Sequence, residues 1–91
     1  MVMGSPLTIN QDAKASQGYK WVVDYYDPAV LTFSGTNTVE LNAAARGVDT
    51  QYQFTFMPLR VADTEVLISY VNDDTPTQFH SIVYNIHIQT R

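Results

Sequence analysis

The sequence predicts an all-β chain, an immunoglobulin-like β-sandwich of about six to seven mostly antiparallel strands. Three observations carry this. Apolar residues recur at every second position in short runs, most clearly Tyr52, Phe54 and Phe56 and then Ile82, Tyr84, Ile86 and Ile88. Turn-forming residues separate the runs, as in Asp27-Pro28 and Ser34-Gly35-Thr36-Asn37. No segment shows a 3.6-residue apolar period with a cap, so little or no helix is expected. Strands joined by short turns and a few longer loops each have one apolar face to bury, and two packed sheets bury them all.

Taken in order, Leu7 and Ile9 alternate with Thr8 and Asn10 as a short first strand. Gly18 to Tyr26 follows, with Tyr19, Trp21, Val23 and Tyr25 on one face, so the only tryptophan enters the core just after a glycine that lets the chain turn tightly. Asp27-Pro28 ends that strand. Val30 to Phe33 is next, closed by a turn over Ser34-Gly35-Thr36-Asn37, and Val39 and Leu41 mark a brief extended segment before the small and polar stretch Asn42 to Thr50. Tyr52, Phe54 and Phe56 then alternate with Gln51, Gln53, Thr55 and Met57 up to Pro58. Val66, Ile68 and Tyr70 oppose Glu65, Leu67 and Ser69 in the following strand, introduced by a turn with Asp63 in a left-handed conformation. In the last strand Ile82, Tyr84, Ile86 and Ile88 face inward, while Ser81, Val83, Asn85, His87 and Gln89 face out. Because direction reverses at each tight connection, the loops Gln11 to Gln17, Gly35 to Thr50 and Asn72 to Gln78 emerge at one end if Val39 to Leu41 is only a side excursion. A rigid sandwich with loops gathered at one end is a common form of binding surface.

Composition narrows the function. The 91 residues suit one domain, with residues 1–6 read as a leader and residues 7–91 as the single sandwich. Such a domain buries roughly 60–65% of its unfolded surface, enough for a core but not for a deep cavity. Hydrophobic residues at 45% and charged residues at 15% argue against a disordered tail. With a net charge of −4 and five Lys and Arg spread singly, no basic stripe exists and no nucleic-acid partner is expected. No apolar run approaches the ~20 residues of a membrane span. The absence of cysteine removes disulfides, thiolate nucleophiles and thiolate metal ligands. It leaves the compartment open. Met1 to Ser5 lacks the charged and apolar regions of an intact signal peptide, so the chain is secreted or periplasmic if one was removed and cytoplasmic otherwise.

No catalytic constellation is present. His80 and His87 read as solvated surface histidines, and Asn72, Asp73, Asp74 and Thr75 as a polar turn in preference to a weak calcium-type oxygen cluster. Asp12, Asp24, Asp27, Asp49 and Asp63 fall at strand ends, where aspartate caps turns. Without a phosphate cradle, a nucleophile elbow or ligand spacing, no enzyme activity, metal or cofactor is expected.

One resemblance covers most of the chain. Leu7-Thr8-Ile9-Asn10, a polar loop, Gly18-Tyr19-Lys20-Trp21, and later Thr50-Gln51-Tyr52-Gln53-Phe54-Thr55-Phe56 leading to Val66-Leu67-Ile68-Ser69-Tyr70 resemble the chagasin-like inhibitors of papain-like cysteine peptidases. The resemblance implies an immunoglobulin-like sandwich whose three loops form a wedge for the peptidase cleft, with a papain-like cysteine peptidase as partner. It implies that Lys14, Ala15, Ser16, Gln17 and Gly18 form the central loop across the peptidase's catalytic cysteine. Arg46, Gly47 and Val48 would fall in a flanking loop, and Asn72, Asp73, Asp74, Thr75 and Pro76 in the third. Where the family carries Asn-Pro-Thr-Thr, this chain has Lys14-Ala15-Ser16-Gln17; where the family has Arg-Pro-Trp after the strand-ending tyrosine, Val71-Asn72-Asp73 follows Tyr70. The family also has a strand ahead of the one matching Leu7 to Asn10, and an edge left unpaired there would allow a homodimer. Two other readings compete: a structural or adhesive immunoglobulin-like module of a larger chain, and a carbohydrate-binding sandwich using Tyr25, Tyr26 and Tyr52.

Overall fold

In the computed structural model, residues 1–41, 48–74 and 79–90 are described. Among the described residues six strands form in the order β1 (Leu7–Ala13), β2 (Tyr19–Tyr26), β3 (Leu31–Glu40), β4 (Thr50–Pro58), β5 (Ala62–Asn72) and β6 (Phe79–Ile88), with one 3-10 turn, Ala15–Gln17, between β1 and β2. They make two antiparallel sheets, β1-β4-β3 and β2-β5-β6. The β3–β4 and β5–β6 connections stay within a sheet, whereas β1–β2, β2–β3 and β4–β5 cross between sheets. Ahead of β1, Val2 makes a parallel bridge to Gln89, and Met1 and Met3 pack against the core.

The alternating residues meet between the sheets. Ile9, Trp21, Leu31, Phe54, Phe56, Val66, Ile68, Ile86 and Ile88 are all buried. Each contributes roughly 1.5–3 kcal/mol by leaving water. Aromatic rings concentrate this at two levels. Toward one end Phe56 lies 5.1 Å from Phe33 and 5.6 Å from Tyr26, ring centre to ring centre. At the other end Tyr70 stacks on Tyr19 at 4.8 Å and meets Trp21 at 4.7 Å.

Five expectations need correction. The first strand does not stop at Asn10 but continues to Ala13, because Gln11 takes an inward position and its amide donates to the Tyr84 hydroxyl. A polar residue with a half-buried partner breaks the apolar alternation without breaking the strand. Likewise Ser34 to Asn37 is not a turn. The register steps from Phe33↔Phe56 to Gly35↔Thr55, making Ser34 the extra residue of a β-bulge, and Gly35 absorbs it at φ +140°. Beyond the bulge Thr36 to Glu40 are exposed, so β3 runs on with no apolar pattern to reveal it.

A second bulge lies in β2, where Val23 faces Ile68 and Tyr25 faces Leu67, leaving Asp24 unpaired. The extra residue shifts the two-residue period by one. Tyr25 therefore turns out to solvent, 53% exposed, and Tyr26 takes its place against Phe33 and Phe56. Asp24 is held there by the hydroxyl of buried Ser69, which also bonds Ser81 at 2.8 Å. Finally, Asp63 is not left-handed: among the described residues only glycines have positive φ, and Asp63 pairs with His87 inside β5. The tyrosine platform proposed for sugar binding is likewise divided, since Tyr26 and Tyr52 pack against the core while Tyr25 faces solvent.

Candidate functional site

Strand parity brings the loop ends together. Ala13 and Glu40 both pair with Thr50, Tyr19 pairs with Asn72, and Val71 with Phe79, so the 14–18, 41–49 and 73–78 connections leave the same end of the sandwich. The loops are shorter than expected from sequence, because Gln11–Ala13 and Gly35–Glu40 belong to strands.

The central loop is a tight 3-10 turn rather than an extended strand. Gln17 and Tyr19 both donate to the Lys14 carbonyl, at 3.0 and 3.3 Å, and Gly18 donates to Ala15 at 3.1 Å. Gly18 closes the turn at φ +88°, a conformation that costs residues with a Cβ. The three preceding amides go to side chains. Lys14 N–H donates to the Tyr70 hydroxyl at 2.9 Å. Ala15 and Ser16 N–H donate to the two Asp49 carboxylate oxygens, at 2.9 and 3.1 Å. Every backbone donor from Lys14 to Tyr19 is thus engaged within the protein.

Asp49 ties the second loop's base to the first. Its N–H donates to Ala13 at 3.1 Å, its carbonyl accepts from Leu41 at 2.8 Å, and its carboxylate accepts from Thr50 at 3.1 Å. Hydrogen bonding, first from the Ser16 hydroxyl and then from neighbouring donors, holds its carboxyl below the usual range against an opposing desolvation effect. On the other flank, Asp73 N–H donates to the Gly18 carbonyl at 3.1 Å, and the Asn72 amide donates to Gln17 at 3.3 Å while accepting from Asp74 N–H at 2.8 Å. Lys20 pairs with Asp73 at 3.1 Å on the surface.

Of the residues picked out from sequence, Ser16, Gln17, Asp73 and Asp74 are exposed, Lys14, Ala15, Gly18 and Val48 are half-buried, and Asn72 is buried. Arg46, Gly47, Thr75 and Pro76 lie outside the described residues. Trp21 is structural, 7% exposed with its indole N–H on the Asp12 carbonyl at 2.9 Å. Two residues that organise the site were not singled out, Asp49 and Tyr70. Asp49 read as an ordinary strand-end cap, and nothing in the sequence links it to amides 33 and 34 positions away. His80 is exposed, and His87 contacts the Asp63 carboxylate on the outer face of β5–β6. Among the described residues no three His, Asp or Glu side chains gather to hold a metal, and no helix is long and apolar enough to cross a membrane.

Among solved structures, two with a similar fold are these. The crystal structure of the cysteine protease inhibitor EhICP2 from Entamoeba histolytica superposes with a TM-score of 0.80 at 17% identity, covering 98% of this chain and 83% of that one. The fold is chagasin-like. The solution structure of amebosin superposes with a TM-score of 0.75 at 16% identity over 98% of this chain and 85% of that one. No protein-family model and no curated protein matches the sequence. The chagasin-like scaffold is therefore recognisable in the sandwich at an identity too low to carry the loop chemistry with it.

Proposed function

We propose that the chain is a proteinaceous inhibitor of papain-like cysteine peptidases, inserting loops from one end of the sandwich into the active-site cleft without covalent chemistry. The observation that carries this reading is the central loop, whose backbone donors are all consumed internally while its Ser16 and Gln17 side chains remain exposed. A peptidase hydrolyses a segment whose scissile carbonyl is presented to the nucleophile at near-attack distance. A closed 3-10 turn fills space without offering that geometry. Affinity then rests on preorganisation, since a loop already fixed loses little freedom on docking. Resemblance to a fold that includes a named cysteine protease inhibitor supports the same reading.

On this reading the chain is the ligand of an enzyme and not itself one. Contacts come from the Lys14 to Gly18 segment, with the Arg46-Gly47-Val48 segment and the Asn72 to Pro76 segment to either side. Arg46 is the one arginine among these positions, and arginine is over-represented among residues that dominate interface energetics. The test is hydrolysis of a fluorogenic peptide by several papain-like peptidases with increasing protein. Slowed hydrolysis is expected, and unchanged rates for all of them at micromolar protein would reject the proposal.

A further inference from the structure

Lys14, Ala15 and Ser16 are three successive residues whose amides are all captured by side chains, and the captors come from different sheets. Tyr70 reaches in from β5 of one sheet. Asp49 reaches in from the residue preceding β4 of the other. Tyr70 is in turn fixed by its ring, stacked on Tyr19 and packed on Trp21. Asp49 is fixed by its own backbone bonds to Ala13 and Leu41. For the Lys14–Gly18 segment to become extended, these three bonds and the 3-10 turn bonds must open together.

Resting on the inhibitory reading above, we propose that Asp49 and Tyr70 are positioning residues that keep the central loop from being cut by the peptidase it blocks. They touch no partner atom in this role. They act by denying the loop the extended conformation that a scissile segment needs. Once the clamp is removed, the loop extends into the cleft and the peptidase hydrolyses a peptide bond between Lys14 and Gly18. The C–N bond breaks, one water adds across it, and a new carboxylate and a new amino terminus result; no other reactant is required.

The experiment compares the full chain with its Asp49→Ala, Asp49→Asn and Tyr70→Phe variants, each shown to be folded by circular dichroism and incubated with papain. Intact mass is followed alongside residual papain activity. The unaltered chain is expected to stay whole and hold its inhibition. Asp49→Ala is expected to be cut within Lys14–Gly18, with inhibition that fades as cutting proceeds, and Tyr70→Phe to follow more slowly. Folded variants that stay whole as long as the unaltered chain, or that are cut first in another loop, overturn the proposal. Papain is replaced by another papain-like peptidase if the unaltered chain inhibits that one instead; should the chain inhibit none of them, the inhibitory reading fails separately, and amide exchange then decides the clamp. Several-fold faster exchange at Ala15 and Ser16 in Asp49→Ala supports it, and unchanged exchange overturns it.

Discussion

Gly18→Ala is the substitution whose effect can be worked out most fully. Gly18 sits at φ +88° and ψ 6°, where a residue with a Cβ costs about 1–2 kcal/mol. Alanine also restricts the unfolded chain, which offsets about 0.4–1 kcal/mol. The new Cβ would lie 3.4 Å from Asn72 Oδ1 and 3.7 Å from Asp74 Oδ2, ordinary contact that adds little by itself. The net loss is about 1 kcal/mol, equivalent to roughly 4–8 °C in Tm for a domain of this size. Asn72 bridges the central and third loops, so on the inhibitory reading proposed above, inhibition should weaken as well. Gly35→Ala is the matched control. Gly35, at φ +140°, has no heavy atom within 4 Å of an added Cβ and lies in mid-strand, so that variant should lose stability by backbone strain alone, about 1–3 kcal/mol, with inhibition retained. Thermal unfolding by circular dichroism and a peptidase inhibition assay read the pair. A Gly18→Ala protein that melts within ~1 °C of the unaltered chain would refute the reasoning from its left-handed cap.

Two further outcomes follow from the same region. Trp21→Phe removes the bond to the Asp12 carbonyl and leaves a gap beside Tyr70, so urea unfolding should show a loss of about 2–3 kcal/mol, and a loss below ~0.5 kcal/mol would contradict the packing described. The Asp49 carboxyl is held below its unfolded value, mainly by the Ser16 hydroxyl. Its contribution is therefore present above the unfolded value of about 3.9 and is lost as pH falls through the lower folded value. Melting curves taken from about pH 6 to about pH 2 should fall less steeply for Asp49→Asn than for the unaltered chain, and parallel curves would count against the clamp.

Much of the sandwich was legible in the sequence because β4, β5 and β6 bury apolar residues at strict alternation. Phe54, Phe56, Val66, Ile68, Ile86 and Ile88 are all in the core. Two of the places that misled share one cause, a polar residue whose partner lies far away in sequence. Gln11 looked like loop until Tyr84 supplied its bond, and Asp24 looked like part of an unbroken period although Ser69 holds it in a bulge. Ser34-Gly35 looked like a turn because a bulge and a turn use the same residues. At the candidate site, the sequence revealed a loop between two strands and its closing glycine as structure. It did not identify Asp49 or Tyr70, since their roles exist only once both sheets are assembled around Lys14 to Ser16.

The two bulges have a bearing on how this chain behaves among its copies. Both sit on edge strands, Asp24 in β2 and Ser34 in β3, on either side of the crossover between the sheets. An edge strand offers its unused amides and carbonyls as a template to any extended chain that meets it, and an added residue twists that template out of line. During folding at high concentration, a neighbouring molecule that begins to zip along either edge meets a break in register partway. The residues that obscure the strand pattern in the sequence are thus the ones that make those edges poor seeds for aggregation.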